Sequence, residues 1–597
     1  MKSTVDILEE RISAAMTKAT GQTDCAAVIR PATDPRFGDY QANGVMSLAK
    51  QIKTNPRKLA ETVVAQLDLS DLCEPPEVAG PGFINLRLKP QYVATELLRI
   101  AAENTDRLGI RPAVSPQTIV VDFSSPNVAK QMHVGHLRST IIGDCLCRLL
   151  EFEGHRVTRQ NHIGDWGTQF GMLIAHLDEM HRAGMPRMGE ETDSHVQIVI
   201  FEEFYRQAKK RYDEDAEFAG KSRSWVVKLQ NHDPIATSFW RDIVAASLAE
   251  CQQLYETLGV TLAAKDARGE SSYNDDLPTV IRDLKANGLA VESEGAVCVF
   301  PPGFQTKEGE PLPFIIQKSD GAFLYATTDL AALRYRINVL KADRIVYVTD
   351  ARQIQHFQML FKVAEMAGWD QRDGQKVELV HVTFGSVLGE DGKPLKTRSG
   401  ENVKLRDLLD EAVERATTVV EEKNPELSAK AKSQIAQAVG IGAVKYADYC
   451  NSRTSDYVFS FDKMLAMEGN TAPYMQYAYA RVRSIERKAQ TKGVDVAGEL
   501  ASVKTLNLSE PSELDLAKHL VRYAEAVESA IADYRPNYLT AYLYELAQRF
   551  STFYTNCPVL DAPPASRPTR LLLCDQTART IGHGLAQLLG IAVVEQM

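Results

Sequence analysis

The sequence is poor in cysteine and has no long apolar run. Its 597 residues include nine cysteines, an odd number, and only Cys145 and Cys147 lie close together. This pattern excludes a disulfide scaffold and favours a reducing cytoplasm. No apolar run approaches the roughly 18 residues that cross a bilayer, and the early acidic residues Asp6, Glu9 and Glu10 exclude the apolar core of a signal peptide. We expect a cytoplasmic protein without membrane contact, in which Cys145 and Cys147 fill a core helix.

An excess of basic charge is also absent. The chain has 78 acidic against 68 basic residues and a net charge of −10. This argues against a protein surface that is basic throughout and binds nucleic acid, but it allows a local basic face. Hydrophobic residues make up 44% and charged residues 24%, which excludes a disordered or fibrous chain. There are no internal repeats or low-complexity tracts. At roughly 150 residues per domain, the length predicts about four domains.

The first part of the chain is predicted to be a small α+β domain. Apolar residues from Val5 to Met16 recur at helical spacing, and Ile84–Leu88 alternates like a short strand. The Gly- and Pro-containing stretch 104–116 is typical of a domain boundary. We place this domain at residues 1–112.

The middle of the chain predicts a parallel sheet. The β-branched run Thr118–Phe123 indicates a buried strand, helical spacing follows from Leu137 to Leu150, and Arg156–Thr158 is strand-like. This βαβ order implies parallel pairing. Further strands are predicted at Arg344–Val348 and Val377–Phe384, beyond a helical stretch that ends in a strand at Ala296–Phe300. The fold class is therefore α/β, with a two-halved, Rossmann-like catalytic domain at 113–455 and an insertion at about 190–300.

The last part is predicted to be an all-α domain at 456–597. From about residue 404 the apolar spacing is almost entirely helical, interrupted at Gly493–Glu513 and at the proline-rich Pro558–Pro568. Predicted helices are Asp407–Glu422, Ala436–Tyr446, Tyr474–Lys488 and Leu514–Tyr534.

One loop carries the clearest chemistry. Ser125-Pro126 ends the strand, and His133-Val134-Gly135-His136 opens the next helix. Unpaired backbone N–H groups and the helix dipole favour phosphate there, Gly135 allows a close approach to the backbone, and two imidazoles can donate to phosphate oxygens. Two other interpretations are a metal-binding pair, which lacks a nearby ligand cluster, and structural histidines at a helix cap.

This motif resembles the His-Ile-Gly-His signature of the class I aminoacyl-tRNA synthetases. Four longer strings resemble one of their families, the arginyl-tRNA synthetases of bacterial type: Ser124–Thr140, Asn161–Gly171, Tyr325–Asp329 and Glu468–Tyr474. The matches run from Phe37 to beyond Arg481, so the resemblance covers essentially the whole chain.

The resemblance implies a two-step reaction of an arginine–tRNA ligase. L-Arginine would react with ATP to give arginyl-adenylate and pyrophosphate, and the arginyl group would pass to the 3′-terminal adenosine of tRNA(Arg), releasing AMP. His133 and His136 would stabilise the transition state, and Pro126 and Gly135 would complete the ATP site with them. Mg²⁺ would accompany ATP without a dedicated protein site, and the enzyme would be a monomer.

The family's second signature, Lys-Met-Ser-Lys-Ser, is altered here. The nearest string is Lys393–Gly400, in which Thr397 stands where the second lysine is expected. The resemblance implies that Lys130, just before the first signature, compensates as a catalytic cation. Lys396 and Arg398 remain alternatives in the ATP site. The other interpretation of Lys393–Gly400 is a solvated basic loop without a part in the reaction.

The amino-acid pocket needs a carboxylate for a guanidinium fork. By resemblance, Asp329 fills this role with Tyr325 beside it, four residues earlier. Taken alone, Asp329 is typical of a helix N-cap and Gln353 of a surface residue. The remaining expected arginine contacts are Asp122, Ser124, Asn127, His136 and Gln353, with Asp122 or Asn127 at the α-amino group.

The tRNA surface is predicted on a C-terminal helix. Tyr474, Tyr477 and Arg481 fall at i, i+3 and i+7, an aromatic and basic face that suits unpaired anticodon bases. Core packing is the alternative for each tyrosine. By resemblance, the N-terminal domain, with its Phe37–Asn43 string, contacts the tRNA elbow.

Two further functions compete with an aminoacyl-tRNA synthetase. A non-catalytic tRNA-binding paralogue would not need the intact His133, His136, Asn127, Lys130 and Asp329. A small-molecule nucleotidyltransferase would have no use for a helical anticodon-like domain.

Overall fold

The computed structural model describes residues 3–103, 107–185, 193–397 and 401–597. It has an N-terminal α+β part, a central parallel sheet with helices packed on it, and a helical C-terminal part. The expected fold class is confirmed. No helix in these ranges is long and apolar enough to cross a membrane.

The N-terminal part is an antiparallel sheet covered by helices. The first helix begins where Ser3 and Asp6 cap each other reciprocally, and it buries Leu8 and Ile12. The elements are α1 (Thr4–Thr20), β1 (Ile29–Pro31), a 3₁₀ turn (Pro35–Phe37), β2 (Tyr40–Ala42), α2 (Gly44–Gln51), α3 (Pro56–Val64), β3 (Glu77–Ala79), β4 (Phe83–Leu86) and α4 (Pro90–Ala102). Within the described residues the strand order is β1-β2-β4-β3.

The predicted strand–helix–strand unit follows. Its helix is almost wholly buried, and Cys145 and Cys147 are fully buried in it, as expected. In the described residues four helices come next, and they pack around aromatic residues that include Phe170 and Trp225. The elements are β5 (Thr118–Asp122), α5 (Val134–Glu153), β6 (Arg156–Ile163), α6 (Thr168–Arg182), α7 (Ser194–Glu214), α8 (Ala216–Gln230) and α9 (Pro234–Leu258).

The chain then returns to the sheet through a short strand that lies inside the predicted insertion. A small antiparallel sheet follows before the second half of the parallel sheet is completed. Between Ala264 and Tyr273 the chain also forms two 3₁₀ turns, and a third lies at Ala351–Gln353. The helices and strands are β7 (Ala267–Gly269), α10 (Leu277–Ala286), β8 (Ala290–Ser293), β9 (Ala296–Val299), β10 (Phe314–Gln317), α11 (Tyr325–Asn338), β11 (Arg344–Asp350), α12 (Ile354–Met366), β12 (Gln371–Arg372), β13 (Gln375–Lys376), β14 (Glu378–Phe384) and β15 (Val387–Leu388).

The parallel sheet joins the two halves of the catalytic region. In the described chain its order is β14-β11-β5-β6-β7, and β11 lies beside β5 with Val346 opposite Val121. All four pairings are parallel. The carboxyl ends of the strands therefore meet at one edge, where open α/β sheets bind their ligands.

The C-terminal part is a set of packed helices, with one difference from expectation. The predicted helix Leu514–Tyr534 is two helices, and Arg522 at the break places its guanidinium 5.4 Å from the ring centre of Tyr40 in the N-terminal part. The elements are α13 (Leu405–Lys423), α14 (Ala429–Tyr449), β16 (Tyr457–Val458), α15 (Phe461–Met464), α16 (Ala472–Thr491), α17 (Val496–Ser502), α18 (Pro511–Leu520), α19 (Tyr523–Ala532), α20 (Pro536–Asn556), α21 (Arg567–Gly582) and a π-helical turn (His583–Leu588).

The N-terminal and C-terminal parts contact each other directly. The buried Tyr40 hydroxyl donates to a Glu525 carboxylate oxygen at 2.6 Å, and Lys518 pairs with Asp39 at 2.8 Å. Asp39 and Tyr40 belong to the Phe37–Asn43 string, so two side chains of this string join the N-terminal part to the C-terminal part.

Candidate active site

The loop between β5 and α5 is strained and tightly held. Ser124, Ser125 and Ala129 have φ values of 71°, 48° and 65°, conformations that cost about 1–3 kcal/mol each and that cluster at functional sites. The Ser125 N–H donates to Asn161 Oδ1 at 3.0 Å. Gly164 leaves room for Asn127, whose Oδ1 lies 2.4 Å from where a Cβ on Gly164 would stand. The Asn161–Gly171 string thus holds the signature loop in place.

The two signature histidines cap the start of α5. The Gly135 N–H donates to His133 Nδ1 at 3.0 Å, and the His133 N–H donates to His136 Nδ1 at 3.1 Å. The ring centres lie 4.0 Å apart. The Nδ1 atoms therefore cap the helix, as the structural interpretation of these histidines predicts. Because each Nδ1 accepts a hydrogen bond, the proton of each neutral ring must be on Nε2. Neither Nε2 makes a hydrogen bond within the described residues.

The environment keeps both rings neutral. Burial, with His133 nearby, lowers the pKa of His136 to about 3. Burial and the positive charge of Lys404 also lower the pKa of His133. Two neutral Nε2–H donors therefore stand beside the N-terminus of α5, where phosphate is favoured.

Gly135 and Pro126 also have structural roles, and their part in the ATP site stays a prediction. A Cβ on Gly135 would lie 2.7 Å from Cε1 of His133, so the glycine also leaves room for this ring. Pro126 is buried, and its carbonyl accepts the Gly164 N–H at 3.1 Å.

The basic candidates for the triphosphate lie in different settings. The Lys130 ammonium sits 4.7 Å from the ring centre of Tyr205 on α7. Lys396 is exposed on the second-signature loop, and its backbone forms an isolated antiparallel β-bridge with Asn402. Arg398 lies outside the described residues. Lys404, which sequence reasoning missed, pairs its backbone with His133.

The arginine candidates Asp329 and Tyr325 meet at the start of α11. His356 Nε2 lies 2.7 Å from Asp329 Oδ2, and His162 Nε2 lies 3.9 Å from Oδ1. Tyr325 packs its ring 5.0 Å from that of His356, and 64% of its surface is exposed. Asp329 stands one turn inside the helix, whose N-cap is Leu324. The N-cap interpretation of Asp329 is wrong, and its carboxylate faces the sheet edge.

Four other arginine candidates are engaged or exposed. Asp122 pairs with the buried Arg336 at 2.7 Å, so its charge is already compensated. The buried Ser124 hydroxyl bonds Tyr255 and Thr140, and the Ser124 N–H donates to Ser139, which leaves only its carbonyl for a ligand. Gln353 is exposed at the end of a 3₁₀ turn, and Asn127 is exposed beside Gly164.

Glu270 is a site residue that the sequence did not reveal. Asp165 accepts the N–H and the hydroxyl of Ser271 at 2.9 and 2.7 Å, and this turn presents Glu270. Burial, with Asp329 and Asp165 nearby, raises the pKa of Glu270 to about 7. In the described chain Glu270 has no hydrogen bond or ion pair. A half-buried carboxylate beside a second one and without a cation suits a cationic ligand.

The predicted tRNA residues share one face of α16. The Tyr474 ring meets Tyr544 of α20 at 5.8 Å, and Arg481 lies 4.8 Å from the ring centre of Tyr554. Tyr477 is 40% exposed. Tyr544 and Tyr554, which sequence reasoning missed, extend the aromatic and basic surface onto a second helix. Core packing therefore explains part of the environment of the Tyr474 ring and little of that of the Tyr477 ring.

Metal-ligating side chains do not gather anywhere in the described ranges. No group of three or more His, Cys, Asp or Glu there could hold a metal ion. All nine cysteines are free.

Three family models match the chain in succession. The model for the "Arginyl tRNA synthetase N terminal domain" matches residues 6–88, "tRNA synthetases class I (R), catalytic domain" matches 101–461, and "DALR anticodon binding domain" matches 475–597.

Individual proteins match over nearly the full length. The arginine–tRNA ligase of Synechococcus elongatus is 51% identical over 599 residues, and that of Chromobacterium violaceum is 50% identical over 591, each covering 99% of both chains. The crystal structure of arginyl-tRNA synthetase from Plasmodium falciparum superposes with a TM-score of 0.83 at 29% identity, covering 100% of both chains. The arginyl-tRNA synthetase of Thermus thermophilus shares the fold, with a TM-score of 0.81 at 24% identity, over 99% of this chain and 100% of that one.

Proposed function

The chain belongs to the arginyl-tRNA synthetase family, and from this premise we propose which residues carry out its reaction. The enzyme is an arginine–tRNA ligase. A carboxylate oxygen of L-arginine attacks the α-phosphorus of ATP, the bond to the β-phosphate breaks, and pyrophosphate leaves. A hydroxyl of the 3′-terminal adenosine of tRNA(Arg) then attacks the arginyl carbonyl, and AMP leaves.

The first step takes place at the N-terminus of α5. His133 and His136 donate through Nε2–H to oxygens of the α-phosphate, where negative charge grows in the transition state. Because both rings are neutral, they donate without changing their protonation state. Lys130, Lys396 and Arg398 remain the alternatives for a cation at the leaving pyrophosphate. Mg²⁺ would enter with ATP, without a dedicated protein site, and would neutralise part of the triphosphate charge.

Arginine lies at the carboxyl edge of the sheet. Asp329, oriented by His356, accepts the guanidinium fork with Tyr325 beside it. Glu270 supplies the second carboxylate, and Asn127 reaches the α-amino group. The remaining contacts come from Asp122, Ser124, His136 and Gln353.

The tRNA lies along the helical part. The anticodon bases stack on the surface of Tyr474, Tyr477 and Arg481, and residues 1–112 contact the elbow. The functional units are 1–112, 113–455 with its insertion at about 190–300, and 456–597. The enzyme works as a monomer in the cytoplasm, in keeping with nine free cysteines.

The observation that carries the proposal is the pair of neutral Nε2–H donors at one edge of the sheet, together with the acidic pocket of Asp329 and Glu270. The test is aminoacylation of bulk tRNA with each radiolabelled amino acid in turn. We expect label on tRNA with arginine alone. A non-catalytic paralogue would bind tRNA without charging it, and a small-molecule nucleotidyltransferase would neither charge tRNA nor bind it.

A further inference from the structure

The second-signature loop ends against the first signature. The Val134 N–H donates to the Val403 carbonyl and the Leu405 N–H to the Met132 carbonyl, both at 2.9 Å. These bonds place Lys404 directly opposite His133 in an antiparallel pair. Opposed Cα atoms in such a pair lie about 4.5–5.5 Å apart, so Lys404 is fixed beside the N-terminus of α5.

Among the described residues, a single carboxylate holds the side chain of Lys404. Its ammonium forms a salt bridge with Glu202 Oε1 on α7, and Glu202 Oε2 accepts from Gln131 Nε2 at 2.7 Å. The side chains of Lys404 and Glu202 are 23% and 30% exposed. A partly exposed ion pair of this kind is weak, so a polyanion arriving at α5 can displace Glu202 from the lysine.

We propose that Lys404 binds the phosphates of ATP and that Glu202 is the counter-ion which it exchanges for them. Three features favour this lysine. Its backbone is pinned to His133, its flexible four-carbon stem carries a compact charge, and it has a partner that can be exchanged. Lys130, by contrast, lies over the Tyr205 ring, and Lys396 is exposed on its loop.

Glu202 has a defined part in this exchange. In the absence of ATP it competes for the lysine, so it weakens ATP binding. It also holds Gln131, two residues before His133, and a glutamine at position 202 keeps an oxygen for that bond. Glu202→Gln therefore removes the competing charge and leaves the loop contact.

The test compares Lys404→Met, Lys404→Arg, Glu202→Gln and the double variant Lys404→Met/Glu202→Gln. The readouts are equilibrium dialysis of ATP and arginine-dependent ATP–pyrophosphate exchange with tRNA present. We expect Lys404→Met to weaken ATP binding about tenfold to a hundredfold, the range for a hydrogen bond to a charged group. Lys404→Arg should recover most of this loss, and KM for arginine should change little.

Glu202→Gln should strengthen ATP binding by roughly two- to fivefold, and the double variant should lose this gain. Glu203→Gln, at a neighbouring acid of α7 that bonds Gln207, is the matched control and should behave as the parent.

The proposal rests on the proposed function, and the two fail differently. If the parent charges tRNA with arginine but Lys404→Met keeps its affinity for ATP, the role of Lys404 is wrong and the function stands. Weaker ATP binding in Glu202→Gln, or equal rises in KM for ATP and arginine together with a lower melting temperature in Lys404→Met, would show a structural salt bridge and overturn the proposal. A parent without arginine-dependent exchange would refute the function, while ATP dialysis would still decide the claim about Lys404.

Discussion

Each signature histidine has two roles on one ring. Nδ1 closes the cap of α5, and Nε2–H points away from the cap as a donor. Protonation would abolish the first role, because an imidazolium donates from both nitrogens and its Nδ1 can no longer accept a hydrogen bond. An ordinary solvated imidazole would protonate near pH 6.5, and burial lowers the pKa of both rings below that value.

His136→Ala should slow adenylate formation by roughly 10²–10³, the cost of removing one transition-state donor. It should also cost about 0.5–2 kcal/mol of stability through the lost cap. Affinity for tRNA should stay near that of the parent. ATP–pyrophosphate exchange, chemical denaturation and tRNA binding separate the three effects, with the exposed His181→Ala as control. Equal losses in rate and in tRNA affinity would make His136 a structural residue only.

Glu270 predicts a pH dependence of arginine binding. Its pKa in the empty site is about 7, and a bound cation favours the carboxylate, so binding releases a proton at and below pH 7. The dissociation constant for arginine should therefore fall about tenfold from pH 6 to pH 8, and Glu270→Gln should remove the dependence. Isothermal titration calorimetry at several pH values measures both. Affinity that is independent of pH in the parent would place Glu270 outside the pocket.

Residues in motifs could be predicted from the sequence, and residues without a motif could not. His133, His136 and Asp329 belong to recognisable strings, and the structure places Asp329 near His162 of β6. Glu270 and Lys404 stand in no periodic pattern, and their significance depends on neighbours that only folding supplies. The ion pair of Asp122 with Arg336 could not be predicted for the same reason, because the two residues lie 214 positions apart in the chain.

At the scale of elements, the tRNA face of α16 is the clearest prediction to test. Tyr477→Ala should weaken tRNA binding by about 1–3 kcal/mol, the usual value of one base stacked on an aromatic ring. Tyr477→Phe keeps the ring and should bind like the parent. The measurement is a binding titration at one fixed salt concentration, because phosphate contacts make affinity depend on salt. Equal affinity of Tyr477→Ala and the parent would mean that the ring serves packing alone.

Elements with a strong period were predicted well. The unit of β5, α5 and β6, the strands β11 and β14 and the helix α16 all lie where apolar spacing placed them. β7 was missed because three half-buried residues, one of them Arg268, show no alternation. The break between α18 and α19 was missed because buried apolar residues keep a helical spacing on both sides of it.

At the scale of the whole molecule, the proposed active site is assembled from distant segments. The signature loop, α7, the 269–271 turn, α11 and the end of the second-signature loop all contribute side chains. The order of the three parts could be predicted because each has its own spacing of apolar residues. The contacts between the parts could not be predicted, since Tyr40 and Glu525 lie 485 positions apart and nothing in the sequence relates them.

A site assembled from so many segments, with an altered second signature, should depend on its tRNA. We expect arginine-dependent ATP–pyrophosphate exchange to require tRNA(Arg), and a non-cognate tRNA to be a poor substitute. Full exchange without any tRNA would show that ATP and arginine alone complete the site.

In the proposed function, this edge of the sheet selects arginine through the carboxylate of Asp329. Asp329→Asn keeps the shape and removes the charge, so a guanidinium loses its ionic partner while the uncharged, nearly isosteric citrulline loses little. The decisive measurement is kcat/KM for arginine and for citrulline in the parent, in Asp329→Asn and in the control Asp320→Asn, which lies on the wall of the groove beside Tyr325. We expect kcat/KM for arginine to fall by about 2–5 kcal/mol in Asp329→Asn alone, with the preference for arginine over citrulline falling with it. An unchanged arginine-to-citrulline ratio in Asp329→Asn would contradict the account and place the guanidinium elsewhere.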